Sequence, residues 1–66
     1  MFYYVFFTLL KHHGIRYWSA ATAAERHTVE VALDKAMCFL EAQNLDWANL
    51  PKEEKEHWMQ EILKKS

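Results

Sequence analysis

From Val29 to Leu63 the apolar side chains recur with a helical period, whereas from Phe2 to Trp18 they run on almost without a break. Val29, Ala32, Leu33, Ala36, Phe39 and Leu40 form one stripe, and Glu30, Asp34, Lys35 and Glu41 lie largely off it. That spacing belongs to a helix with one buried face. Thr28 is placed to cap it and Asn44 to end it, which predicts a helix over 28–43. Further on, Trp58, Met59, Ile62 and Leu63 repeat at i, i+1, i+4, i+5. Pro51 suits a first turn, Glu53 and Glu54 the positive helix pole, and Lys64 and Lys65 the negative one. These predict a second helix over 51–65, after a short connection at 45–50 that holds Trp47.

The N-terminal run reads differently. Phe2-Tyr3-Tyr4-Val5-Phe6-Phe7-Thr8 is almost wholly aromatic or β-branched, types that suit a pleated surface and lose rotamer freedom in a helix. Gly14 can supply the positive φ of a tight turn, and Ile15-Arg16-Tyr17-Trp18 then reads as a returning strand. Pairing about that turn sets Leu10 opposite Ile15, Phe7 opposite Trp18 and Val5 opposite Ala20, bulky against small towards the open end. The expectation is an α+β fold, ββαα. An N-terminal β-hairpin with strands near 2–10 and 15–22 is followed by two amphipathic helices. The alternative is an all-α three-helix bundle. Lys11-His12-His13-Gly14 also makes a good helix ending, and Thr22-Ala23-Ala24-Glu25 fits a capping box from which a long helix can start.

The pattern Tyr3-Tyr4-Val5, Gly14 and Thr28-Val29-Glu30-x-Ala32-Leu33-x-Lys35-Ala36 resembles the hairpin-then-helix units of HicB-like antitoxins. The match covers barely half of the chain, and the further strand of those proteins is missing. What the resemblance implies is the same hairpin followed by a helix.

With 66 residues there is room for one domain, spanning 1–66, and one small core. A chain of this length buries only about 60% of its unfolded surface, so its stability is modest without a staple or a partner. Cys38 is the single cysteine, which excludes an intramolecular disulfide and points to a reducing, cytoplasmic setting. An apolar fraction of 52% argues against disorder. The apolar run over residues 1–10 is too short to span a bilayer, which takes roughly 20 residues in a helix, so no membrane role is expected. It also lacks the preceding basic residues and the following small-residue site of a signal peptide.

No constellation carries an enzyme. Four histidines are present, His12, His13, His27 and His57, but no two stand at i, i+4 and Cys38 has no CxxC partner, so neither a metal nor another cofactor is expected. Cys38 lies near the polar edge of its helix between Asp34 and Glu41, which disfavours a thiolate. Net charge is −1, but it is unevenly spread. Residues 1–24 carry Lys11 and Arg16 and no acid, while residues 25–66 carry nine acids against six Lys and Arg. The segment Lys11–Trp18 interleaves basic and aromatic types, so Lys11, Arg16, Tyr17 and Trp18 are candidates for gripping a nucleic acid. Two permanent cations are few for such binding. The favoured reading is a small non-enzymatic protein-binding module. It would regulate or inhibit a larger protein, as phages and mobile elements encode such inhibitors, and it would form a homodimer through its sheet. Tyr3, Val5, Phe7, Arg16 and Trp18 are its candidate partner-binding residues.

Overall fold

In the computed structural model, which describes residues 3–65, the segment expected to form a hairpin is helical, and no strand occurs among the described residues. Helix α1 spans Tyr3–His12, α2 Ala23–Ala42 and α3 Lys52–Lys64, with single 3₁₀ turns at Trp18–Ala20 and Trp47–Asn49. The ββαα expectation is thus corrected to the all-α alternative. Phe2, the first residue of the expected strand, lies outside the described residues.

Local chemistry accounts for the change. The hydroxyl of Thr8 donates to the Tyr4 carbonyl at 2.7 Å, so a β-branched residue finds a partner within the helix. At its end, Gly14 takes a φ of 73°. The Gly14 N–H donates to the Lys11 carbonyl at 3.1 Å and the Ile15 N–H to the Leu10 carbonyl at 2.9 Å. This is the Schellman ending, in which a left-handed residue closes the helix and the next side chain packs back on it. Leu10 and Ile15 are indeed buried together, with Val29. The hairpin register had set the same two side chains face to face, so their proximity alone does not separate strand from helix.

The connection is held from α2. Thr22 caps that helix in a complete capping box. Its hydroxyl accepts from the Glu25 N–H at 3.1 Å, and the Glu25 carboxylate accepts from the Thr22 N–H at 2.8 Å. The helix therefore starts well before Thr28, whose hydroxyl instead donates to the Ala24 carbonyl within it at 3.0 Å. The extra turn brings in Arg26, which donates to the carbonyls of Trp18 and Ser19 at 3.2 Å each. Its guanidinium also lies 5.7 Å from the centre of the Trp18 ring. At the far end Asn44, with φ 56°, repeats the Schellman arrangement: its N–H donates to Glu41 and that of Leu45 to Leu40.

The three helices bury one another's apolar stripes. On α1, Val5 and Leu9 are fully buried, one turn apart, and meet Ala32, Ala36 and Leu40 of α2 and Met59 and Ile62 of α3. Small alanines let the larger side chains of α1 approach α2 closely. Trp47, also buried, closes the end of this core, and its ring meets that of Tyr4 edge-on at 6.3 Å. Phe39 joins α2 to α3 through Trp58, at 5.9 Å, and beneath Lys65, at 4.9 Å. The long axis measures 33 Å, and the 20 residues of α2, rising about 1.5 Å each, are of similar length. On α3 the Lys64 ammonium lies 3.0 Å from Glu61 and holds that carboxyl below its ordinary range through a hydrogen bond and its charge.

Candidate protein-binding surface

Helix α1 has a second apolar face. Its inward stripe, buried Val5, Leu9 and Leu10 with half-buried Phe6, follows the i, i+1, i+4, i+5 spacing of an amphipathic helix. Yet Tyr3 is 71% exposed and Phe7 55%. Those two stand one turn apart and stack, with ring centres 6.3 Å apart and planes at 24°. Phe7 touches Phe6 at 5.7 Å, and Phe6 meets Trp18 edge-on at 5.2 Å. An aromatic ridge thus runs from solvent at Tyr3 down to Trp18 and ends under Arg26.

Of the five residues read as partner-binding, Tyr3 and Phe7 form this exposed ridge and half-buried Trp18 supports its base. Val5 is 0% exposed and belongs to the core. A strand would have put Val5 on one face with Tyr3 and Phe7; the helix turns it inward. Arg16 is exposed elsewhere, on a shallow groove at the C-terminal end of α1 lined by Lys11, Gly14, Ile15, Arg16 and Tyr17. Three of the four residues read as gripping a nucleic acid therefore meet in one place, and Trp18 does not line it. Tyr17 is 70% exposed there. Among the described residues neither Lys11 nor Arg16 has an ion pair.

The sequence reading missed Tyr4, 41% exposed beside Trp47, and Arg26, which fixes the Trp18 turn. The capping box at Thr22 was the available signal for Arg26, since it places that residue in the first turn of a helix. His12 and His13 meet edge-on at 5.2 Å, and no group of three or more His, Cys, Asp or Glu residues among those described could hold a metal ion. Cys38 is exposed. No helix among the described residues is long and apolar enough to cross a membrane.

No protein-family model matches the chain, nor does any curated protein or solved structure. The surface is therefore read from its own chemistry.

Proposed function

We propose that the chain is a non-enzymatic protein-binding module that docks the Tyr3–Phe7 ridge of α1 into a groove on a larger, different protein, which it regulates or inhibits. The observation that carries this reading is the stacked, exposed pair Tyr3 and Phe7 on a helix whose core stripe is already filled by Val5 and Leu9. Large exposed aromatics that the core does not need favour an interaction surface, and an amphipathic helix laid in a groove is a common way to use one.

The homodimer expected from the sequence was to form through the sheet, by its face or its edge, and it loses that sheet with the hairpin. Residues 1–24 carry Lys11 and Arg16 and no acid, so a twofold contact that drew in the groove at the C-terminal end of α1 would set like charge against like. A partner with acidic groups around an apolar groove complements the same surface.

The test compares wild type with a Tyr3→Ser/Phe7→Ser variant, both immobilised and exposed to lysate of the native host. The reading expects a protein retained by wild type and lost by a variant that is still folded under the conditions of the assay. Equal retention by both would sink it. A second reading, nucleic-acid binding by Lys11, Arg16 and Tyr17, is favoured by their shared groove. It expects affinity for mixed-sequence DNA or RNA that weakens with salt; absence of binding at low salt removes it.

A further inference from the structure

A separate concavity lies at the other end of α2. It encloses about 270 Å³ between the last turns of that helix and the Trp47–Asn49 turn. Its apolar wall is made by Met37, Leu40, Leu45 and Trp47, and its two carboxylates are Glu41 and Asp46. We infer that this pocket binds a basic–apolar peptide segment of a partner protein, seating a Lys or Arg side chain between Glu41 and Asp46 with a neighbouring apolar side chain against Leu45 and Met37. It does not depend on the ridge.

The charge argument starts from the helix poles. The last turn of α1 carries Lys11 and His12, and that of α3 carries Lys64. The last turn of α2 carries no basic residue. Its final carbonyls are closed by the Asn44 and Leu45 N–H groups, but the negative pole of a 20-residue helix remains uncompensated. Glu41 and Asp46 add to that negative charge. Both are exposed, Asp46 accepts a hydrogen bond from the Asn49 amide, and neither has a cationic partner among the described residues. A cation arriving here meets negative potential from three sources at once, the two carboxylates and the helix pole.

Size and lining narrow the ligand. Pockets for drug-sized molecules typically run about 300–1,000 Å³, so 270 Å³ suits one or two side chains. Two carboxylates over an apolar wall do not make a metal site, which needs a third ligand. Nucleic acid and anionic lipid are repelled. A guanidinium or ammonium on a methylene stem fits both halves, because such side chains lay an apolar arm on apolar surface and keep the charged head at the rim. Met37 adds an adaptable wall.

The test titrates ¹⁵N-labelled protein with the probe peptide acetyl-Leu-Arg-Leu-amide and reads amide shifts. Shifts should concentrate at residues 37–48 and shrink as salt is raised. The Gln analogue, acetyl-Leu-Gln-Leu-amide, and the Glu41→Gln/Asp46→Asn variant should each bind about threefold to tenfold more weakly, the size of two solvent-exposed ion pairs. Shifts that are absent, scattered over the surface, or equal for the Arg and Gln peptides overturn the proposal. Because the peptide comparison uses unaltered protein, it decides the matter even if the double variant is perturbed. Tyr3→Ser/Phe7→Ser should leave the titration unchanged, so this pocket and the ridge stand or fall separately.

Discussion

Two neighbouring residues at the end of α1 make opposite demands. Gly14 sits at φ 73° with nothing within 4 Å of where a Cβ would stand. Substituting alanine there meets no steric neighbour, so its whole cost is left-handed backbone strain, about 1–2 kcal/mol. Gly14→Asn should cost less, because asparagine tolerates that conformation and already adopts it at Asn44 with φ 56°. The urea midpoints of the two variants, at constant m-value, check the order. His13, just before it, buries its Nε2 atom with no hydrogen-bond partner among the described residues. A buried polar atom left unmatched costs about 1–3 kcal/mol. His13→Leu should therefore hold or raise stability, by up to about 1 kcal/mol. A clear loss in the same urea assay would mean that the imidazole makes an essential bond to water.

The elements differ in how far they could be read from their residues. Helix α3 and the core of α2 were plain, because in each one face is apolar and the opposite face charged, as with Trp58, Met59, Ile62 and Leu63 against Glu53, Glu61 and Lys64. Helix α1 was obscured by its own surface. The stripe Val5, Phe6, Leu9, Leu10 was present at helical spacing, but Tyr3, Tyr4 and Phe7 filled the start of the other face with aromatic rings, so polar positions marked the period only at Thr8, Lys11 and His12. β-Propensity then decided the reading, and propensity yields to packing when a helix can bury its stripe on two others. The candidate surface was half legible for the same reason: Tyr3 and Phe7 share a face in a strand and in a helix, whereas Val5 joins them only in a strand. Mutations can separate the two. Leu9→Ala empties a fully buried site and should cost about 2–5 kcal/mol, a large share of the roughly 3–10 kcal/mol available to a chain this short. Phe7→Ser, at a site 55% exposed whose ring keeps only its contacts with Tyr3 and Phe6, should cost clearly less, about 0.5–1.5 kcal/mol. Comparable losses at Leu9 and Phe7 in thermal unfolding would contradict the helix assignment of faces.

For the molecule as a whole, the open question is what the ridge is for, and its area constrains the answer. A fully buried aromatic side chain removes about 150–250 Å² from water. With Tyr3 71% and Phe7 55% exposed, the pair offers roughly 200–300 Å². A stable interface takes about 800 Å² from each partner. The ridge is therefore an anchor, and the remaining area must come from what surrounds it. A second copy brings only the same ridge, with Arg16 on a separate groove at the end of α1, whereas a different protein can bring a groove deep enough for two rings and carboxylates to meet Lys11 and Arg16. The expectation is that sedimentation equilibrium at low micromolar concentration gives the 7.9 kDa of one chain, unchanged by Phe7→Ser and by salt. A mass of two chains that falls to one on Phe7→Ser would show instead that the ridge is satisfied by its own copy, and the case for a separate target would then have to rest on the pocket beside Trp47.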